Sequence, residues 1–433
     1  MHNLTHPRLM PALLSLLCAG TAGTASAAGF QLQNQNASGT GVAFAGAAAV
    51  AEDASTIYFN PAGMTYLPQG HSFSFGGTAI QRSVKFRDTG TTPMPVINPL
   101  TNAPTGAFHP VGGDGGNGGG VGMAPAGYYS YSINPKLRVG LGFSVTYGSE
   151  TEYDDKFAGR FSGRYTSIHQ LNLNPSVAYR VNDVVSIGAG LNYAKSEIEF
   201  RQNAPFVGAP LGVLKGDDTA WGWNAGAMFQ LSPATRVGVS YRSTIKFDLA
   251  GRQTVSAPIN LDRAITARME TPDTFSLALS HHLNERTELL ADATWNGWSS
   301  LKALEPMTGA APATAPLRYN FRDTWRVGLG AKYQLNEAWN LRAGVAYDQT
   351  PVPDEASRTM TVPDSDRTWL AFGARWKMTP KTSVDFGYAH IFFKDVSTAR
   401  VVMNTAETDT LQTVRGDFKT HANLVSVQMN HRF

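Results

Sequence analysis

Apolar side chains recur at every second position along most of this chain. That period is the pattern of a β-strand with one apolar and one polar face, because successive side chains of a strand point to opposite sides. Trp325 and Val327, for example, alternate with Arg326 and Gly328, and similar runs continue from about residue 71 onwards. No apolar run in this part of the chain reaches the roughly 20 residues of a membrane helix. The pattern therefore predicts an all-β protein.

Short and long connections alternate strictly between the predicted strands. The six short ones are polar turns of three or four residues, as at residues 134–136 and 336–338. The seven long ones are rich in Gly, Pro and Asp and cover about residues 87–120, 148–164, 202–217, 250–270, 300–317, 350–365 and 394–416. Short turns on one side and long loops on the other are typical of outer-membrane barrels, and these connections join about 14 strands.

The aromatic residues indicate which way the apolar faces point. They lie mainly at the ends of those faces, as Tyr147, Trp221 and Tyr347 do. Membrane barrels carry aromatic girdles at both interfaces, whereas a soluble sandwich would bury its apolar faces in a core. Charged residues make up only 16% of the chain, against roughly 25% in soluble domains. We therefore predict that residues 71–433 form a transmembrane antiparallel β-barrel of about 14 strands.

The last predicted strand ends on an aromatic residue. Val425, Val427 and Met429 alternate with polar residues, and Phe433 follows at the end. A terminal aromatic on an alternating strand resembles the assembly signal of outer-membrane proteins, although His431 departs from the usual apolar residue at its position. An ordinary edge strand that ends in Phe is the alternative.

The first 27 residues have the composition of a secretory signal peptide. Arg8 supplies the positive flank, residues 9–19 are largely apolar, and residues 25–27 form the small-x-small pattern at which signal peptidase cuts. The apolar stretch is too short for a transmembrane anchor. The single cysteine, Cys18, lies inside this segment, so we expect a mature chain from Ala28 without disulfides or cysteine-bound metal.

No motif in the chain indicates catalysis, a cofactor or a metal. Residues 113–118 match the GxGxxG pattern but lack the flanking strand and helix of a nucleotide site. His281 and His282 lack the HExxH spacing of zinc enzymes, and no GxSxG nucleophile motif is present. The net charge of +3 does not indicate a nucleic-acid partner. We expect a protein that is not an enzyme and has neither cofactor nor metal.

Residues 28–70 do not alternate like the rest of the chain. They are rich in Ala, Gly, Ser and Asn, and Glu52 and Asp53 are their only acids. A segment so poor in large apolar residues cannot bury a core of its own, so it either remains disordered or packs inside something else.

Several motifs in order carry a resemblance to one family, the FadL-type outer-membrane transporters. In the first segment they are Ala28–Leu32, Ser38–Gly41, Glu52–Ser55 and Phe59–Met64; further on they are Asn174–Arg180, Ser240–Ser243, Phe321–Arg326, Ala346–Pro353 and Pro363–Arg367. The resemblance covers nearly the whole chain. It implies a Gram-negative outer-membrane barrel of 14 strands that is plugged by a small hatch, here residues 28–70.

The resemblance also implies a function, the passive uptake of hydrophobic molecules and of long-chain fatty acids above all. By this resemblance we expect outer loops to capture the substrate, a site in the lumen near the hatch to receive it, and a gap at a kinked strand to release it sideways. A dry path suits such substrates, because exposing each CH₂ to water costs about 0.8 kcal/mol. Expected partners are hydrophobic small molecules, outer-membrane lipid and lipopolysaccharide, and the barrel-assembly machinery, with the protein itself a monomer. Uptake of aromatic or other neutral hydrocarbons is the alternative, followed by a general porin and a structural or adhesin barrel.

Gating is assigned to the hatch residues Asn60, Pro61, Ala62 and Gly63. The proline fixes one backbone dihedral and the asparagine side chain can bond neighbouring amides, so the pair can hold the plug in one conformation. A simple turn is the alternative. Arg326 and Asp348 fall on the polar face of their strands and are predicted to face the lumen, where pairing with the hatch is a second reading.

Substrate contacts are predicted at six positions: Phe30, Phe157, Phe161, Phe200, Arg201 and Arg318. Phe157 and Phe161 belong to an aromatic stretch with interleaved charges at residues 153–161, which either captures substrate or packs on the barrel rim. The family resemblance implies basic residues near the outer ends of the fifth and tenth strands. The matching positions here are Phe200 and Leu317, with an arginine one residue after each. That departure leaves room for a neutral substrate.

Overall fold

The computed structural model describes residues 29–433, so the predicted signal peptide, residues 1–27, lies outside the described residues. Fourteen antiparallel strands form a closed barrel. They are β1 (His71–Asp88), β2 (Val121–Ser132), β3 (Leu137–Glu152), β4 (Tyr165–Arg180), β5 (Val185–Asn203), β6 (Leu211–Ser232), β7 (Thr235–Arg242), β8 (Thr274–His282), β9 (Thr287–Asn296), β10 (Thr324–Gln334), β11 (Trp339–Asp348), β12 (Arg367–Lys377), β13 (Thr382–Phe393) and β14 (Thr410–Arg432). Each strand pairs with the next, and β14 pairs with β1 to close the wall. The predicted all-β barrel of 14 strands is confirmed.

The wall has its apolar side chains outside and its polar side chains inside. On β10, Val327 and Leu329 are 48% and 63% exposed. Arg326, which lies between Trp325 and Val327, is only 1% exposed. Trp339 and Trp376 stack at 6.0 Å near one end of the wall, where an interfacial aromatic belongs. The apolar face of each strand thus points outward to lipid, whereas in a soluble protein it would point into the core. The two-residue period of the sequence places all apolar side chains of a strand on that one face.

The six predicted short turns join their strands, and the long connections gather at the opposite end. Further short strands and one 3-10 helix lie in these loops: Pro95–Ile97, Pro104–Phe108, Lys246–Val255, Leu261–Glu270, Trp298–Ser300, Ala303–Leu304, Met307–Thr308, Ala311–Pro312, Leu317–Arg318 and Val396–Met403. The predicted loops at residues 202–217 and 394–416 are wrong in extent, since β6 begins at Leu211 and β14 begins at Thr410. The first residues of β6 pair with the end of β5 and with Lys246–Val255, so hydrogen bonding extends the strand through residues that include the charged Lys215 and Asp217.

Residues 29–70, which we call the N-terminal segment, lie inside the barrel. They contain the helices α1 (Ala37–Thr40) and α2 (Thr56–Phe59) and a 3-10 helix (Pro61–Tyr66). The first helix packs against β12, β13 and β14, and the 3-10 helix packs against β4, β5 and β6. Within residues 29–433, no helix is long and apolar enough to cross a membrane.

The ladder between β2 and β3 is incomplete. It ends at the pair Ala126 and Ser144, and β3 has an irregular register between Val145 and Tyr147. Beyond that point the N-terminal segment replaces β2 as the hydrogen-bond partner of β3. The Leu32 amide donates to the Thr146 carbonyl at 2.9 Å, and the Gly148 amide donates to the Phe30 carbonyl at 2.8 Å. The part of β3 that does not pair with β2 is therefore hydrogen-bonded by the N-terminal segment from inside the barrel.

Candidate binding path through the barrel

The outer loops enclose a cavity of about 890 Å³, which we call the mouth cavity. Its walls come from residues 94–104, 202–206, 253–263, 313–320 and 400–411, together with a few side chains of neighbouring loops. Phe161 and Arg318, both predicted substrate contacts, line it. The cavity is wide enough for a medium-sized ligand, since ligand pockets typically measure roughly 300–1,000 Å³.

A narrower apolar gap, which we call the inner site, lies next to the mouth cavity. Leu317 lines both. The inner site is lined by Phe30, Thr166, Ile168, Ile198, Phe200, Met269, Leu301, Leu304, Leu317 and Tyr319, and none of these carries a formal charge. Its volume of about 20 Å³ admits little in this conformation. Phe30, which belongs to the N-terminal segment, forms one side of this gap.

Two arginines stand where the mouth cavity meets the inner site. Arg318 is held by Glu407 at 2.5 Å, so its charge is compensated. Arg400 donates to the carbonyls of Arg318 at 2.8 Å and Ala356 at 3.2 Å, and among the described residues it forms no ion pair. Burial lowers the pKa of Arg400, and its charge acts on Tyr319, whose pKa burial raises to about 12. Within the described part of the chain, Arg400 is therefore a cation at the entrance of the inner site that forms no ion pair, with only the more distant carboxylate of Asp354 acting on its charge.

Four of the six predicted substrate contacts line these two cavities, and two do not. Arg201 pairs with Glu199 at 2.6 Å and lies over the Tyr165 ring at 4.1 Å. Phe157 is fully buried, stacked on Tyr153 at 4.1 Å within a packed apolar cluster. Sequence reasoning missed Arg400, because it lies in a loop whose sequence has no alternation to orient it.

Asn60 ties the N-terminal segment to the wall. Its Oδ1 accepts from the Ala62 amide at 3.1 Å, and its Nδ2 lies 2.8 Å from the Ala48 carbonyl, 3.1 Å from that of Ala227 and 3.3 Å from that of Val239. Pro61 starts the 3-10 helix directly after it. A Cβ at Gly226 of β6 would stand 2.2 Å from Asn60 Oδ1, so this approach requires glycine in the wall.

Ala62 and Gly63 continue the buried 3-10 helix. A Cβ on Gly63 would meet Thr56 Oγ1 at 1.9 Å, which leaves no room for any other residue there. The structure therefore brings all four predicted gating residues together at one contact between the segment and the barrel.

A second attachment is ionic. Glu52 accepts from Arg342 at 3.0 Å and from Arg375 at 3.2 Å, with Lys332 3.4 Å away, and Asp53 lies 3.2 Å from Arg375. Burial alone would raise the pKa of Glu52, but these three cations, Arg342 first, hold it well below its usual value. The carboxylate stays ionised because several cations surround it.

Arg326 and Asp348 both face the lumen, and they are cross-strand partners. Arg326 is paired with Asp292 at 3.3 Å and also donates to the Ala43 carbonyl of the N-terminal segment. Asp348 lies 3.6 Å from Arg367. At the far end of the barrel the Phe433 ring packs edge-on against His431 at 4.6 Å and remains 67% exposed.

Comparison with known proteins gives consistent results. Residues 18–433 match the family described as outer membrane protein transport protein (OMPP1/FadL/TodX). Outer membrane protein P1 of Haemophilus influenzae is 32% identical, over 95% of this chain and 96% of its own length. The long-chain fatty acid transport protein of Salmonella typhi is 28% identical, over 85% of this chain and 88% of its own.

Solved structures agree in fold. A FadL homologue of Pseudomonas aeruginosa superposes with a TM-score of 0.84 at 26% identity, covering 94% of this chain and all of its own. The toluene transporter TbuX of Ralstonia pickettii superposes with a TM-score of 0.66 at 21% identity, covering 93% of this chain and all of its own. The chain is an outer-membrane protein of a Gram-negative bacterium. It belongs to the OMPP1/FadL/TodX family of outer-membrane transporters for hydrophobic compounds.

Proposed function

We propose that this protein takes up long-chain fatty acids by passive transfer from the mouth cavity through the inner site. The observation that carries the proposal is Arg400, a cation that forms no ion pair with any of residues 29–433 and lies at the entrance of a gap lined by uncharged side chains. A fatty acid has the matching chemistry, with one carboxylate for the guanidinium and an alkyl chain for the apolar gap.

The apolar lining of the inner site determines whether the alkyl chain or the carboxylate of the fatty acid enters it first. Each CH₂ that leaves water contributes about 0.8 kcal/mol, so the chain enters between Phe30 and Phe200 while the carboxylate stays with Arg400. Arg318 adds little to this attraction, because Glu407 already neutralises it.

Exit runs sideways between β2 and β3. The support for this step is the ladder that stops at Ala126 and Ser144, together with the N-terminal segment bonded to the edge beyond. Backbone groups facing lipid must be hydrogen-bonded, so the segment keeps this edge satisfied while the path is closed. A shift of residues 30–32 would open the inner site and the wall at once, which makes the segment a hatch.

The test is the Arg400→Ala substitution in cells with equal surface expression. Losing a charge-assisted hydrogen bond removes roughly 1.5–3 kcal/mol of binding, or about 10- to 150-fold in affinity. We expect oleate uptake at limiting concentration to fall by about tenfold, R400K to retain much of it, and toluene uptake to be unchanged. Arg252→Ala, a surface arginine paired with Asp262 outside both cavities, is the control. Unchanged oleate uptake in R400A would refute the proposal.

Uptake of neutral aromatic hydrocarbons is the second candidate. The uncharged lining of the inner site favours it, and the similarly folded TbuX is described as a toluene transporter. The same cells decide between the two: this candidate requires toluene entry that depends on the protein, and oleate entry that does not.

A further inference from the structure

Three lysines lie near one another on the outside of the barrel: Lys85 on β1, Lys419 on β14 and Lys394 directly after the end of β13. Lys85 and Lys419 are direct partners in the ladder between β1 and β14. Phe392 of β13 pairs with His421 of β14 as the last pair of that ladder, and Lys394 follows directly after β13, next to Asp395, which contacts Lys419. All three lysines are exposed. Like charges directly opposite one another destabilise a ladder, and the strands themselves do not remove this repulsion.

Acidic neighbours neutralise only part of the charge. Asp395 lies 3.4 Å from the Lys419 ammonium, and Asp417 pairs with Arg87 at 2.7 Å. The other two lysines form no ion pair with any of residues 29–433. The outer basic patch consists of Lys85, Arg87, Lys394 and Lys419. Two of these four cations thus form ion pairs, Asp114 also acts on Arg87, and the patch looks outward, away from the transport path.

The same strands face lipid directly below the patch. Val425 of β14 partners Tyr388 of β13, and both are exposed on the outward face. The Tyr388 hydroxyl donates to Asn423 at 3.0 Å, which marks the change from apolar to polar surface. Lys419 lies six residues beyond Val425, a rise of roughly 15 Å for a strand tilted by about 40°. Lysine side chains are long enough to bend back towards this interface.

We propose that the outer basic patch binds the phosphate groups of a phosphorylated lipid in the outer leaflet. Phosphate oxygens accept charge-assisted hydrogen bonds from lysine and arginine, and they would separate the opposed ammonium groups of Lys85 and Lys419. The exposed apolar wall under the patch takes the acyl chains of the same molecule. This continuity of headgroup site and acyl surface favours a lipid over a free phosphate ion.

The test compares three probes on the purified protein in neutral detergent by native mass spectrometry. The probes are lipid A with two phosphates, the same lipid after dephosphorylation, and inorganic pyrophosphate. We expect the protein to bind diphosphorylated lipid A at least tenfold more tightly than either other probe, and K85Q/K419Q to lose that preference. The control K195Q/K215Q removes two exposed lysines that already have carboxylate partners, at 2.6 and 3.3 Å, and should bind like the original protein.

Each contrary outcome overturns the proposal in a distinct way. Equal binding of dephosphorylated lipid would mean that only the acyl surface matters. Equal binding of pyrophosphate would mean a site for free anions. Unaltered lipid binding by K85Q/K419Q, with the heat-modifiable mobility of a folded barrel, would place the lipid elsewhere. None of these results depends on which substrate the channel carries.

Discussion

At the scale of single residues, Asn60 joins two parts of the molecule that are far apart in sequence. Its side chain closes the turn before the 3-10 helix and reaches wall carbonyls 167 and 179 residues further along the chain. The side chain is fully buried, so no water replaces these bonds if they are lost. A buried carbonyl without a partner costs about 1–3 kcal/mol.

We therefore predict that Asn60→Ala loosens the N-terminal segment and leaves the barrel intact. A cysteine at Ala47 reports the change, because the predicted mature chain has no other thiol. Maleimide labelling of that cysteine should speed up at least fivefold, with heat-modifiable mobility unchanged. Asn284→Ala, in an exposed turn of the wall, serves as the control. Equal labelling rates in N60A and the parent would reduce Asn60 to an ordinary turn residue.

At the scale of elements, the sequence determines the strands better than it determines their ends. Period-two alternation located the strands of the wall, because lipid outside and a polar interior impose opposite demands on neighbouring residues. Where a strand extends beyond the lipid, its two faces no longer need to differ in polarity. The alternation therefore did not predict that β6 begins at Leu211. Nor did it predict the incomplete ladder between β2 and β3, since strand pairing depends on partners that are distant in the chain.

The candidate site was predictable only in part, for a similar reason. Phe30, Phe161, Phe200 and Arg318 could be singled out from motifs and from the resemblance to a family. Arg400 could not, because its place at the cavity depends on how separate loops fold over the barrel mouth. Loop packing of this kind has no period for a sequence to display.

The edge of β3 gives a prediction about motion. Gln31 and Tyr147 face each other in a β-bridge, where Cα atoms are roughly 4.5–5.5 Å apart and suit a disulfide. Q31C/Y147C should lose at least tenfold in substrate uptake when oxidised and recover it on reduction, because the segment is then pinned to the wall. A291C/L329C, across an intact ladder, controls for the crosslink itself. Normal uptake by the oxidised Q31C/Y147C variant would mean that this contact need not break.

At the scale of the whole molecule, ion pairs as well as packing hold the N-terminal segment in the lumen. Glu52 bridges cations that come from β10, β11 and β12, so one carboxylate connects three strands of the wall to the N-terminal segment. Removing one partner of a buried ion cluster leaves the others uncompensated, and it destabilises more than the pair itself contributes.

From this network of ion pairs we predict that substitution of Glu52 loosens the N-terminal segment, whereas mildly acidic pH does not. Because the pKa of Glu52 is depressed, its stabilising contribution is complete above the ordinary value of 4.5 and declines only as the pH falls from there through the lowered value. A spin label at residue 47 should therefore keep the same mobility from pH 7 to pH 5. Glu52→Gln should increase that mobility at both pH values, and Glu285→Gln, in an exposed turn, should not. Loosening of the unsubstituted protein between pH 7 and pH 5 would contradict this assignment.

The filled lumen also bears on the permeability barrier of the cell. Two cavities against the N-terminal segment measure about 60 and 20 Å³, room for a few water molecules and no more. A barrel of this circumference left open would leak ions and small water-soluble toxins. Because residues 29–70 lie inside the barrel, we expect the protein to form no wide aqueous pore, so many copies of it should be compatible with an intact outer membrane.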